Sequence, residues 1–199
     1  KVKSSHKNRG LGIGQILLDP FWTDWLPIYV WVIEHPEGVI LVDTGENAKV
    51  KDAAYFKCDP TVGWVNKNIL RFNTSREDEI DVQLRSLGIE TDEVRWVVLT
   101  HLHLDHVDGL HHFPTSEILI SKADFQQPAG GVRCLLPKWL KPNLIQHKHH
   151  EIPHFEGAFP LTSQQDIWLV PTPGHTYGHQ SVLLRSEQVD ILFNELAAQ

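Results

Sequence analysis

The chain has 199 residues, 41% of them hydrophobic, and a formal charge of −7 at neutral pH. That length suits one domain over residues 1–199 with a sizeable core, the acidic balance disfavours a nucleic-acid partner, and no run approaches the roughly 18 consecutive apolar residues of a membrane span. Cys58 and Cys134 lack a CxxC spacing and read as free thiols in a reducing, cytoplasmic setting, with a single bridge between them as the alternative.

Residues 1–10 are basic and polar with no apolar stretch behind them, so no secretory signal is expected. The chain contains no methionine, not even at residue 1, which points to a processed or partly represented protein. Residues 28–34 and 39–42 are short β-branched and aromatic runs around His35-Pro36-Glu37-Gly38, the pattern of a hairpin, and the second run ends in Asp43-Thr44-Gly45. Residues 46–74 are irregular and read as a lid or short helices anchored by Phe56, Trp64 and Phe72. Ser75 caps a helix predicted over 76–87: Asp78 follows three residues on, Ile80, Leu84 and Leu87 make one apolar stripe, and Gly88 stops it.

Residues 94–100 form an apolar run of the kind a sheet buries on both faces. A strand is predicted over 117–120, then a helix over 122–126 capped by Ser121 and ended by Pro128. Residues 127–160, with proline, glycine and scattered histidine, read as an insertion or flexible loop. Three more strands, 167–170, 181–184 and 189–193, surround the segment 171–179. Strands alternating with helices predict an α/β layered domain.

Directly after the buried run stands His101-Leu102-His103-Leu104-Asp105-His106, four strong metal-ligating side chains in six positions. Side chains of an extended segment alternate, so His101 and His103 face one way while Leu102 and Leu104 enter the core. A turn into helix near Asp105 would send Asp105 and His106 in new directions, able to hold a second ion. A His-rich surface loop would account for the histidines among the 13 in the chain, but not for the interleaved leucines. Imidazole with carboxylate suits zinc, whereas calcium or magnesium prefers oxygen alone.

His175, after Pro173-Gly174 at a strand end, is the candidate third ligand beside His101 and His103. His179 reads as support for that turn by hydrogen bonding. Asp43 is either a ligand or a carboxylate that orients the metal-bound histidines, and the second role is favoured. Asp108 reads as a helix-surface residue or as one that supports the ligands. His111, His112, His147, His149, His150 and His154 read as solvated or substrate-facing.

Leu41-Val42-Asp43-Thr44-Gly45, Thr100 through His106, and Thr172-Pro173-Gly174-His175 resemble, in order and spacing, the motifs of the metallo-β-lactamase superfamily. The resemblance spans about residues 26–193. It implies a four-layer αβ/βα sandwich with the metal site at one edge of two facing sheets. Within the superfamily, residues 173–181 look most like those of N-acyl-homoserine lactone lactonases. The resemblance implies that His101, His103 and His175 bind one zinc ion and that Asp105 and His106 bind another. Two zinc ions about 3.5–4 Å apart would share a bridging water acidified from roughly 15.7 towards 7. The implied reaction opens a lactone or ester, with Asp105 passing a proton to the leaving oxygen. Small-molecule substrate, no nucleic acid and no membrane follow as partner expectations, and other ester, thioester or β-lactam hydrolysis is the neighbouring reading.

One departure stands out. The family places a metal-bridging aspartate just after the strand corresponding to 189–193 and a further histidine near its carboxyl end. Here Phe193 is followed by Asn194-Glu195-Leu196, with Glu195 the candidate stand-in. This predicts either a missing carboxyl-terminal segment beyond residue 193 or a degenerate, single-zinc or inactive member.

Overall fold

The computed structural model describes residues 2–4, 22, 24–128, 130–148 and 152–194. The expectations for residues 1–10 as a whole, for Glu195, and for His149 and His150 lie outside them.

Two sheets carry the molecule. The larger has the order β2 (Trp31–Ile33), β3 (Val39–Val42), β5 (Val94–Leu99), β6 (Glu117–Ser121) and β7 (Asn143–Ile145). β2 and β3 form the expected antiparallel hairpin, and β3, β5, β6 and β7 run parallel to their neighbours. The smaller has the order β11 (Asp190–Phe193), β10 (Gln180–Arg185), β9 (Ile167–Pro171) and β8 (Phe159–Pro160), all antiparallel. A separate pair joins β1 (Val2–Ser4) to β4 (Leu70–Phe72).

Parallel strands are buried on both faces, which is why β5 reads as one apolar run. One face of the larger sheet, with Ile40, Val42, Trp96 and Val98, packs against Ile167, Leu169 and Val182 of the smaller sheet. The opposite face, with Leu41, Val97 and Leu99, packs against Ile80, Leu84, Leu110 and Phe113. The outer face of the smaller sheet, with Trp168, Val170 and Leu183, is covered by Ile152, Phe155 and Ala158.

Residues 46–74 are short helices: 3-10 turns Ala48–Lys51 and Ala53–Phe56, then α1 (Pro60–Asn68). Phe56 is buried and Phe72 packs with it, but Trp64 is about half exposed and anchors nothing. This layer rests on Leu104 and Leu135. The helix predicted over 76–87 is two pieces, a 3-10 turn Arg76–Asp78 and α2 (Ile80–Ser86). The Ser75–Asp78 capping box closes the first turn, and Glu79 is extended (φ −69°, ψ 147°) where its side chain accepts from Ala48 N. Capping satisfied the local pattern, and a tertiary contact interrupted the helix. The described residues of 127–160 hold more regular structure than expected, because β7 adds a parallel strand to the larger sheet and Lys148 bridges Ala158.

The free-thiol reading is corrected: Cys58 and Cys134, 76 positions apart, form a disulfide that ties the short-helix layer to the 3-10 turn Arg133–Leu135. Spacing in sequence gave no hint, since the fold alone brings the two turns together. Among the described residues no helix is long and apolar enough to cross a membrane.

Candidate metal centre

The hexapeptide emerges at the carboxyl end of β5, as its apolar approach requires. Leu102 and Leu104 enter two different apolar clusters, and α3 (Leu104–Val107) begins after an extended His103 (φ −69°, ψ 153°). The alternation and the turn near Asp105 are therefore as expected. His101 and His106 are buried, His103 and Asp105 partly open, and His175 exposed at the mouth.

Asp43 organises the buried side. It follows β3 with φ 62°, a left-handed conformation that aspartate tolerates better than most side chains. Its oxygens accept from Thr100 N (2.8 Å), Thr100 Oγ1 (2.8 Å) and His106 Nδ1 (2.9 Å). A carboxylate only accepts, so His106 carries its proton on Nδ1. The one hydroxyl proton of Thr100 goes to Asp43, so His101 Nδ1, 3.0 Å from Thr100 Oγ1, must donate to it. One carboxylate thus fixes the tautomer of both buried rings and leaves each Nε2 a lone-pair nitrogen, the form in which histidine ligates metal. His106 Nε2 lies 3.6 Å from Asp105 Oδ2.

A second clamp comes from the smaller sheet. Gln180 N donates to Thr100 O and Gln180 Nε2 to Leu99 O, both at 2.9 Å, pinning the start of β10 to the end of β5. Thr172 closes the intervening loop through His179 O and His179 Nδ1. His175 then reaches the cluster with Nε2 2.9 Å from His103 Nδ1. The ligand atoms of His101, His103 and His175 all lie within 4.8 Å of one another, so these three could hold one ion. The donor set fits a zinc-class cation: three imidazole rings bring nitrogen donors to one point, the ligand type such an ion takes. Burial, followed by the neighbouring His106, His103 and His175 rings, pushes the His101 imidazolium far down, so His101 stays neutral.

His179 supports its turn as expected, and its ring also packs 5.3 Å from that of His101, which the turn reading missed. Asp108 is buried rather than on a helix surface: it accepts from Tyr55 Oη (2.5 Å) and Asn47 N (3.3 Å). Glu46 lies beside it, and burial, then Asp108, raises its carboxyl well above the ordinary range. Glu46, Asn47 and Tyr55 had no sequence signal beyond following Gly45. His147 is partly buried, with its imidazolium pushed down by burial, which corrects its solvated reading; His154 is exposed. A cleft of about 460 Å³ opens beside the 44–46 turn, lined by Ile28, Tyr29, Val30, Glu46, Thr74 and Leu84 among others.

Gly109 locks this assembly. A Cβ there would lie 2.4 Å from Thr44 O, and Thr44 in turn donates from N and Oγ1 to His106 O. Gly130, at φ 76°, passes so close to His103 that a Cβ would sit 2.9 Å from its Nε2.

Two facing sheets with a histidine cluster at one edge define a family, and a family profile agrees: the Metallo-beta-lactamase superfamily matches residues 23–193. The chain belongs to that superfamily, and its fold is the αβ/βα sandwich. Similar curated proteins include an N-acyl homoserine lactonase of a Bacillus species, 29% identical over 82% of this chain and 60% of its own length. Another is the N-acyl homoserine lactonase AttM of Azorhizobium caulinodans, 28% identical over 80% of this chain and 60% of its length. Among solved structures, a Bacillus thuringiensis AiiA variant with N-decanoyl-L-homoserine bound at the active site shares the fold. It has a TM-score of 0.64 and 24% identity over 83% of this chain and 62% of its own. The chain spans about 60% of the length of the curated relatives it matches.

Proposed function

We propose that this chain carries the metal centre of a zinc-dependent hydrolase that opens lactone rings of the N-acyl-homoserine lactone type. The observation that carries the reading is the convergence of His101, His103 and His175 within 4.8 Å, with Asp105 and His106 beginning the adjoining helix. The similarity to N-acyl homoserine lactonases supports the substrate class.

In this reading His101, His103 and His175 hold one zinc ion, and Asp105 and His106 hold a second. When bound, zinc supplies Lewis acidity towards a carbonyl oxygen and acidifies water towards neutral pH. The chain's own part is positioning. Asp43 holds His106 directly and His101 through Thr100, so both nitrogens stay aimed without reorganisation. Asp105, 29% exposed, would take up the proton released by the attacking water and pass it to the leaving alkoxide oxygen. The exposed His175 and the partly open His103 form the side from which a small substrate enters. The partners are small molecules rather than nucleic acid or membrane.

The test is ring opening of N-acyl-homoserine lactones by the zinc-loaded protein, followed by acid release, with metal counted in the same sample. Chelator-sensitive turnover and two zinc equivalents that depend on His101, His103, His175, Asp105 and His106 are expected. Those two equivalents with no rate above buffer would reject the lactone, and a panel of esters, thioesters and β-lactams would then separate the neighbouring activities. A second reading, a non-catalytic metal-binding or interaction protein that keeps the fold, is favoured by Asn194 following β11, and no metal or one equivalent at this centre would support it. Sparse cysteines suggest cytoplasmic residence, whereas a bridge such as Cys58–Cys134 persists where thiols are oxidised. Thiol trapping in fractionated cells decides between them.

A further inference from the structure

The segment that begins with the hexapeptide ends in a second histidine pair. The 3-10 turn Asp108–His112 presents His111 and His112 to the start of α2, where Glu79 and Asp81 are buried. His112 Nε2 lies 3.5 Å from Glu79 Oε2 and 3.2 Å from Asp81 Oδ1, and it is buried without a hydrogen bond to either. The separation to Glu79 matches the edge of a tetrahedron, about 3.4 Å, around an ion with bonds of roughly 2.1 Å.

The partners are oriented. Glu79 Oε1 accepts from Ala48 N at 3.1 Å, which aims Oε2 at the histidines. His111 Nδ1 lies 2.9 Å from Asp108 O; a carbonyl only accepts, so that nitrogen holds the proton and Nε2 keeps its lone pair.

We propose that Glu79, His111 and His112, whose ligand atoms lie within 4.8 Å of one another, form a separate binding site for a zinc-class divalent ion. Asp81 is gripped by Arg76 (2.5 Å) and Arg85 (2.8 Å) and stays with them, while Glu79 exchanges a longer 3.3 Å contact with Arg76 for the ion. Water completes the coordination on the exposed His111 side. An ion here staples the residue preceding α2 to the turn that follows α3, the helix carrying His106, bracing the hexapeptide from behind. The site does not depend on the lactonase reading.

The test is equilibrium dialysis of the full chain against micromolar zinc, with bound metal counted by mass spectrometry and folding checked by circular dichroism. His111→Ala changes an exposed side chain and should bind one equivalent fewer than wild type, while His154→Ala, also exposed, should lose none. In a His101→Ala, His103→Ala, His175→Ala background, zinc should still raise the melting temperature, and adding His111→Ala should remove that rise. Equal equivalents in wild type and His111→Ala, or an equal loss in His154→Ala, overturn the site, whatever the activity assay returns.

Discussion

Residues 101–112 carry histidines at both ends, and the two ends are built on opposite electrostatics. At the amino end, imidazoles converge and one carboxylate, Asp43, is spent on aiming them. At the carboxyl end, Glu79 and Asp81 face His112, but Arg76 and Arg85 already neutralise much of their charge. The amino end therefore draws its positive charge from outside the chain, whereas the carboxyl end has an internal supply that an ion must compete with. The expected consequence is an order of affinity: stepwise chelation should strip the Glu79–His111–His112 site first and the hexapeptide site last.

The largest break in this contrast is His101→Ala. Losing a ligand at the amino end forfeits the several kcal/mol that the ion contributes, about 10³-fold in rate. Lactone hydrolysis should fall by at least that factor, while the same measurement on His111→Ala should stay near wild type. Comparable losses in both variants would erase the distinction between the ends. Next in size is Asp43→Asn, which keeps the shape but cannot accept from Thr100 and His106 together without placing an amide proton against one of them. Metal affinity or turnover should drop about 10- to 100-fold, with folding largely kept. Gly109→Ala acts between the two ends. Its new methyl would press on Thr44 O, and a loss of about 1–3 kcal/mol should appear as a lower melting temperature.

The same contrast explains what could be read from sequence. The hexapeptide was legible because its four side chains lie within six residues, where backbone periodicity alone fixes their directions, and the apolar run before it identifies β5. His175 needed a partner from elsewhere, yet the turn after β9 was enough to nominate it. The distal cluster was read as solvated histidines because its carboxylates come from α2, some 30 positions earlier, and nothing local predicts that Glu79 breaks the helix to face them. Tyr55, Asn47 and Glu46 around Asp108 were invisible for the same reason: each sits on a short turn placed by packing. The Cys58–Cys134 bridge likewise depends on two loops that only the fold brings together.

The smallest effect is the most selective for the carboxyl end. Burial alone would raise the Asp81 carboxyl, but Arg76, His112 and Arg85 outweigh it and hold it at about 2 against an ordinary 3.8. A folded value below the unfolded one stabilises the fold above the unfolded value and loses that contribution as pH falls through the folded one. Unscreened, the difference amounts to about 2 kcal/mol at neutral pH, and half-exposed guanidinium groups reduce it towards about 1. In chelator-stripped protein, Asp81→Asn should therefore be less stable than wild type by about that amount at pH 7, measured by urea unfolding. The gap should shrink between pH 4 and pH 2, where wild-type Asp81 becomes protonated and the variant has no charge to lose. A gap that persists unchanged to pH 2 would mean that Asp81 acts through packing, and the carboxyl end would lose the internal positive charge that sets it apart from the hexapeptide.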